Sequence, residues 1–137
     1  MLKSELLHPE LLCVLASAGH GSEVLVADAN YPFSTGAAAG VPRVYLNFAP
    51  DLLRATDVLG VLTKAVSVEA AHVMMPDGPE PSIFDEFRAL LPGLALEKLE
   101  RRDFYTRVRG PDLALLIATG ERRLYANILL TLGVVAE

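Results

Sequence analysis

Apolar residues recur with helical spacing in three segments of the chain. The first segment begins at Pro9, whose fixed φ suits the first turn of a helix, and extends for about ten residues. The second follows Asp51, a candidate N-cap, and continues to about residue 65. The third follows Ser82, another candidate N-cap, and ends before Pro92. The pattern therefore predicts three helices.

Short apolar runs bounded by Gly, Pro, Asn or Asp predict strands around these helices. The predicted strands cover residues 23–28, 43–47, 72–75, 95–99, 104–108 and 113–119. A further short helix is predicted over about 127–132, with Asn127 as its N-cap. Strands that alternate with helices are typical of α/β proteins. We therefore expect a single domain over 1–137, with a three-layer α/β/α fold and a mixed, largely parallel sheet of about six strands.

Composition limits the partners of such a domain. The chain has 137 residues, a formal net charge of −5 and 52% hydrophobic residues, and it has no long run of Lys or Arg. This argues against a nucleic-acid surface of the kind that follows the phosphate backbone. The longest apolar runs reach only about six residues, far short of the roughly 20 that cross a bilayer. We therefore expect neither a nucleic-acid partner nor a membrane partner.

The remaining composition signals concern location and assembly. Acidic residues and Pro9 interrupt the apolar stretch that an N-terminal signal peptide would need, which favours a cytoplasmic location. The one cysteine, Cys13, fits a reducing compartment, and its apolar neighbours predict that it is packed in the core. Because the apolar content exceeds what one small core needs, we expect a homo-oligomer.

Candidate chemistry is limited first by what the sequence lacks. It contains no phosphate-binding lysine loop, no dinucleotide-binding glycine fingerprint, no nucleophile elbow, and no Cys or His pair at metal-ligand spacing. Most enzyme classes, and a metal site, therefore lose support. Five polar residues remain that an economical fold would not need: His20, Asp28, Arg101, Tyr125 and Asn127.

The first two of these residues each have a functional and a structural interpretation. His20 lies between two glycines that let the backbone approach a ligand, which suits a general acid/base, but a solvated histidine capping a helix has the same surroundings. Asp28 ends a predicted central strand, where ligands collect in α/β folds, so its carboxylate could bind sugar hydroxyls or orient a base. An Asx turn between Asp28 and Asn30 explains the same aspartate.

Tyr125 and Asn127 are two positions apart, so their side chains converge only if the backbone between them is not helical. A buried tyrosine followed by a capping asparagine explains the pair as well. The other two histidines are expected to be structural. His8 precedes Pro9 at the entry to the first helix, and His72 is interpreted as a strand-edge residue.

Several ordered motifs together resemble the ribose pyranase and fucose mutarotase family. The similarity covers nearly the whole chain and is weakest from about residue 34 to 70. The motifs are His-Pro-Glu-Leu-Leu at 8–12, Gly-His-Gly-Ser-Glu at 19–23, Ala-Asp-Ala-Asn-Tyr-Pro at 27–32, Val-Met-Met at 73–75, Thr-Gly-Glu-Arg at 119–122 and Tyr-Ala-Asn-Ile-Leu-Leu at 125–130. Their order and separations make the resemblance more specific than any one motif.

The resemblance implies roles for the five polar residues. His20 matches the acid/base histidine of the family, and Tyr125 is assigned as a second proton-transfer or hydrogen-bonding group. Asp28 and Asn127 match sugar-binding residues. Arg101 falls where fucose-type members carry arginine and ribose-type members carry histidine, with Arg102 as the neighbouring alternative in the alignment. Gly-Glu-Arg at 120–122 is also fucose-like, whereas the Ala between Tyr125 and Asn127 is closer to the ribose type.

The implied activity is cofactor-independent mutarotation of a free aldose, L-fucose or a related monosaccharide. Acid/base catalysis opens and closes the sugar ring, and no metal takes part. Two alternatives stay open: a D-ribose pyranase-type activity, and a non-catalytic monosaccharide-binding or regulatory protein. Anomer exchange separates the last of these from the other two.

A strand over 23–27 separates His20 from Asp28. At about 3.3 Å per residue, the two side chains would lie about 20 Å or more apart in one chain, which no monosaccharide spans. Either the loop at His20 folds back, or a neighbouring subunit completes the site. The second option is preferred because it agrees with the apolar surplus and with the ring-like homo-oligomers of the family, commonly decamers, whose sites lie between subunits.

Overall fold

The computed structural model describes residues 1–137 and contains four helices and six strands. The helices are α1 (Pro9–Ser17), α2 (Ala55–Ala65), α3 (Ile83–Leu90) and α4 (Arg101–Val108). The strands are β1 (Glu23–Ala27), β2 (Arg43–Tyr45), β3 (Val68–Met74), β4 (Leu96–Leu99), β5 (Leu113–Ala118) and β6 (Ile128–Leu132). None of the four helices has the length and apolar character that a bilayer crossing requires.

The six strands form one sheet in the order β2-β5-β1-β6-β3-β4. Every neighbouring pair is parallel except those that involve β6, which runs antiparallel to both β1 and β3. The predicted mixed, largely parallel sheet is thus confirmed. As a consequence, the other five strands end at one edge of the sheet, and β6 begins at that edge.

Helices cover both faces of the sheet, which confirms the three-layer α/β/α prediction. On one face, α1, α2 and α3 bury apolar side chains such as Leu11, Leu59 and Phe84 against the sheet. On the other face, Phe104 and Val108 of α4 pack with a second apolar cluster. The two clusters lie on opposite sides of β1 because its alternate side chains point to opposite faces.

Two elements near the end of the sequence differ from the prediction. Residues 104–108 are helical rather than extended, because Phe104 and Val108 lie one helical turn apart and both face the sheet. Residues 127–132 contain strand β6 rather than a helix. All five residues of β6 are buried, and a short apolar run buried on all sides has no periodicity that separates strand from helix. Because one predicted strand is a helix and one predicted helix is a strand, the predicted number of strands still equals the observed number.

Three smaller expectations are also wrong. Asp51 does not cap α2: the helix begins at Ala55, with Arg54 at the N-cap, and Asp51 instead accepts a hydrogen bond from the Arg122 side chain at 2.7 Å. Cys13 is exposed rather than packed, because it lies on the solvent side of α1. His72 is not a strand-edge residue. It lies inside the sheet, because β3 starts at Val68 and pairs with β6 on one side and β4 on the other.

Candidate functional site

An open pocket of about 220 Å³ lies at the sheet edge where β1, β3 and β4 end and β6 begins. Ligands of α/β proteins collect at this kind of edge. Its lining residues are Asp28, Asn30, Tyr31, Met74, Arg101, Tyr105, Leu124, Tyr125 and Asn127. Four of the five predicted site residues are therefore brought together from three separate segments of the chain, and the fifth, His20, is not among them.

Asp28 and Asn127 form a buried pair at the floor of the pocket. The Asn127 Oδ1 atom accepts a hydrogen bond from the Asp28 backbone N–H at 2.8 Å, and the Asn127 Nδ2 atom donates to Asp28 Oδ2 at 2.9 Å. The pair forms because β6 starts beside the end of β1 in the antiparallel sense. Asn127 therefore does not cap a helix. The Asn30 N–H also donates to Asp28 Oδ1 at 3.0 Å, so Asp28 both makes the Asx turn and lines the pocket.

The environment of Asp28 alters its acidity. Burial raises the pKa of this carboxyl to about 6, against the opposing effect of hydrogen bonds from the backbones of Asn30, Ala126 and Tyr31 and from the Asn127 side chain. Burial wins because an ionised carboxylate loses its hydration, whereas the neutral acid loses little. Asp28 can therefore exchange a proton close to neutral pH, which is a property of acid/base groups in active sites.

Tyr125 reaches the pocket through an unusual backbone conformation. Its φ is 60°, in the left-handed region that few residues other than glycine adopt. The backbone at 125–127 is not helical, as the convergence of Tyr125 with Asn127 requires. Strain of this type persists only where the surrounding structure holds it, and it concentrates at functional sites.

Arg101 provides the positive charge at the pocket mouth. It is the first residue of α4, directly after β4, and its Nη2 atom lies 3.5 Å from the Tyr125 hydroxyl and 3.4 Å from Asp77 Oδ2. Arg102 does not line the pocket. Of the two neighbouring arginines, Arg101 is therefore the one that faces the pocket.

His20 lies at the opposite edge of the sheet. Its side chain is 61% exposed, and its Nε2 atom lies 3.0 Å from Glu69 Oε2. The following residue, Gly21, has a φ of 83° and donates its N–H to the Leu132 carbonyl at 2.9 Å, which fixes the loop beside the far end of β6. The loop therefore does not fold back to the pocket. His20 does not cap α1 either, since the C-cap is Ala18.

Tyr31 and Tyr105 are pocket residues that the sequence pattern did not identify. Their rings stack with centroids 5.5 Å apart. Tyr31 donates its hydroxyl to the Gly36 carbonyl at 2.8 Å, and a Cβ on Gly36 would lie only 2.5 Å from the Tyr31 ring, so this contact requires glycine. Tyr105 lies four residues after Arg101, on the same face of a helix. The four-residue spacing could have placed Tyr105 beside Arg101, but it has this meaning only in a helix, and a strand was predicted over 104–108.

The remaining histidines and Arg107 lie outside the pocket. His8 lies at the entry to α1, as predicted, and its Nδ1 atom caps the helix by accepting the Leu11 N–H at 3.4 Å. His72 is buried, and burial followed by the charge of Arg107 lowers its pKa. Arg107 donates to Glu23 at 2.7 Å and lies 3.1 Å from His72 Nε2. His72, Arg107 and Glu23 thus form a polar cluster between α4 and the sheet, away from the pocket.

Known proteins are similar to this chain over nearly its whole length. A model of the RbsD / FucU transport protein family matches residues 1–135. The fucose mutarotase of Homo sapiens is 34% identical over 142 aligned residues, which cover 96% of this chain and 91% of that protein. The D-ribose pyranase of Variovorax paradoxus is 33% identical over 141 residues, with 98% of each chain covered. The structure of Bacillus subtilis RbsD complexed with D-ribose has a TM-score of 0.87 to this chain, at 27% identity, with 99% of this chain and 100% of that chain covered.

Proposed function

This chain belongs to the RbsD / FucU transport protein family, and we propose on that basis that it is a cofactor-independent sugar mutarotase. Such an isomerase interconverts the anomers of a free aldose. The observation that carries the proposal is the convergence of Asp28, Arg101, Tyr125 and Asn127 on one open pocket. Carboxylate, guanidinium, phenol and amide groups can hydrogen-bond to the hydroxyls of a monosaccharide. A sugar whose hydroxyls leave one of the buried groups without a hydrogen-bond partner binds less well, so these groups can also discriminate among sugars.

The proposed reaction breaks no bond of the carbon skeleton. A base takes the proton of the anomeric hydroxyl, an acid protonates the ring oxygen, and the bond between the anomeric carbon and the ring oxygen breaks to give the open-chain aldehyde. Closure on the other face of the carbonyl gives the other anomer. Placed proton donors and acceptors suffice for this chemistry, and each contributes typically about 10²- to 10⁴-fold.

We assign His20 as the principal acid/base and Tyr125 as the second proton-transfer or hydrogen-bonding group. Asp28, Arg101 and Asn127 position the sugar hydroxyls. Since His20 and the pocket lie at opposite edges of the sheet, His20 reaches the sugar from a neighbouring subunit of a homo-oligomer, with a decamer as the expected form. Exposed apolar side chains such as Phe48, which is 88% exposed, suit burial between subunits. A monomer with full mutarotase activity, found by sedimentation at assay concentration, contradicts this arrangement.

L-fucose, or a related monosaccharide, is the proposed substrate because Arg101 lines the pocket. A D-ribose pyranase-type activity is the second candidate. It is supported by the 33% identity to the D-ribose pyranase, almost equal to the 34% identity to the human fucose mutarotase. The cytoplasmic location stays a prediction.

The deciding experiment is NMR saturation transfer between the anomers of L-fucose and of D-ribose, with and without the protein. Faster exchange for L-fucose supports the first candidate, and faster exchange for D-ribose, including its furanose forms, supports the second. Sugar binding without faster exchange for any aldose identifies a non-catalytic binding or regulatory protein and contradicts the enzymatic proposal.

A further inference from the structure

The connection between β3 and α3 brings a carboxylate to the mouth of the pocket. This loop is fixed at both ends: the Met75 N–H donates to the Leu99 carbonyl at 2.7 Å, and Glu80 pairs with Arg88 and Lys98. The hydrogen bonds from Arg88 and then from Lys98 lower the pKa of Glu80 to about 2, so the anchor stays ionised across the physiological range. Asp77 lies between these fixed points.

Asp77 binds the two polar side chains of the mouth at the same time. The Tyr125 hydroxyl donates to Asp77 Oδ2 at 3.0 Å, and the Asp77 backbone N–H donates to the Tyr125 oxygen at 3.2 Å. The Arg101 guanidinium completes the arrangement, with Nη2 3.4 Å from Asp77 Oδ2. The Asp77 side chain is otherwise 86% exposed to solvent.

This geometry decides whether the Tyr125 hydroxyl donates a hydrogen bond to a ligand or accepts one from it. A phenol has one proton to donate, and the Tyr125 proton is directed to the Asp77 carboxylate. Toward a ligand in the pocket the Tyr125 oxygen can therefore only accept, in place of the long contact from Arg101 Nη2 at 3.5 Å. The Asp77 N–H fixes the oxygen in place from the same side, so the polarity of the contact is set before a ligand arrives.

We propose that Asp77 is a positioning residue that makes Tyr125 the proton acceptor for a sugar hydroxyl. The inference rests on the proposed mutarotase function and deepens it by assigning a direction to proton transfer. As the anomeric hydroxyl gives its proton to the Tyr125 oxygen, the Tyr125 proton passes to Asp77. The O–H electron pair forms the carbonyl of the aldehyde, and the electron pair of the broken bond stays on the ring oxygen. The ring oxygen takes its proton from His20 of the neighbouring subunit.

The test compares Asp77→Asn with Asp85→Asn by anomer-exchange NMR at several sugar concentrations. Both variants remove one exposed negative charge, since Asp85 lies on α3 with 84% of its side chain exposed. Asn can still accept a hydrogen bond from Tyr125, but it cannot take the proton. We expect kcat to fall at least about tenfold in Asp77→Asn with KM changed less than about twofold. Asp85→Asn should match the unmodified protein, and Asp77→Glu should retain more activity than Asp77→Asn.

A second comparison shows whether Asp77 acts through Tyr125. In a Tyr125→Phe background, Asp77→Asn should cause no further loss, because the group through which it acts is gone. An unchanged kcat in Asp77→Asn overturns the inference and leaves the proposed function intact. So does an equal loss with and without the Tyr125 hydroxyl. If the unmodified protein accelerates exchange of no aldose, the proposed function fails and the inference fails with it.

Discussion

The two edges of the sheet differ in how they hold their polar groups. At the pocket edge, Asp28 and Asn127 are buried and exchange two hydrogen bonds. At the opposite edge, His20 is exposed and pairs with Glu69, which is itself 43% exposed. One edge presents buried, hydrogen-bonded polar groups to a pocket, and the other carries a single imidazole in solvent. The proposed shared site depends on this difference, since it joins the pocket of one subunit, which includes Tyr125, to His20 of a neighbouring subunit.

The largest expected effect comes from removing the acid/base group. We predict that His20→Ala lowers kcat for anomer exchange about 10²- to 10⁴-fold and leaves monosaccharide binding largely in place, because the pocket edge is untouched. NMR exchange measures the rate, and isothermal titration measures binding. His8→Ala is the matched control, since His8 only caps α1. Equal rates for His20→Ala and the unmodified protein would mean that the exposed edge has no part in the reaction.

The division between edges predicts complementation of two inactive variants. When His20→Ala and Tyr125→Phe chains are co-expressed at equal levels, some sites combine an intact histidine from one chain with an intact pocket from the other. Random assembly makes about a quarter of the sites intact, so the mixture should regain about a quarter of full activity. Each variant expressed alone is the control. Activity no greater than that of the two variants separately contradicts a shared site.

Substitutions at the pocket edge should reduce the stability of the protein more than substitutions at the opposite edge. Asn127→Ala leaves the Asp28 N–H and carboxylate without their buried partner, and we expect it to reduce the free energy of unfolding by about 1–3 kcal/mol. Glu69→Ala removes only an exposed pairing with His20, and we expect a change below about 0.5 kcal/mol. Asn47→Ala, at an exposed position, is the control for the substitution itself. Urea unfolding measures all three, and equal losses for Asn127→Ala and Glu69→Ala are inconsistent with the contrast.

The smallest predicted effect is the pH dependence due to Asp28. Folding raises the pKa of Asp28 from its ordinary 3.8 to about 6, so the folded state binds this proton more tightly than the unfolded state does. The resulting stabilisation is complete in acid and is lost as the pH rises through 6. Relative to Asp28→Asn, the protein should lose about 1–2 kcal/mol of stability between about pH 5 and pH 8. Parallel pH dependences of the two unfolding free energies would exclude a perturbed Asp28.

Patterns that depend only on local sequence predicted most of the fold. The buried strand β1 and the start of α1 at Pro9 were identified because burial and helix starts leave distinct residue types in the sequence. Residues 104–108 and 127–132 were assigned incorrectly because their apolar positions fit more than one period. Only the packing of α4 against the sheet and the pairing of β6 with β1 and β3 resolve them.

The site was predictable only in part, for a related reason. The residue pattern singled out Asp28, Arg101, Tyr125 and Asn127, all of which line the pocket. Asp77 carries no motif, because its contact with Tyr125 joins residues 48 positions apart across a loop. Contacts of that kind arise from the tertiary structure and leave no spacing in the sequence.

The place of β6 in the sheet has a consequence for how the molecule folds. β6 fills the gap between β1 and β3, yet its residues follow both of those strands by more than 50 positions. Until β6 inserts, β1 and β3 each have an unpaired apolar edge, which is a site for aggregation. Insertion closes long loops and is therefore a slow kind of step. Tyr125 and Asn127 lead directly into β6, so the pocket forms in the same step in which β6 pairs with the open sides of β1 and β3.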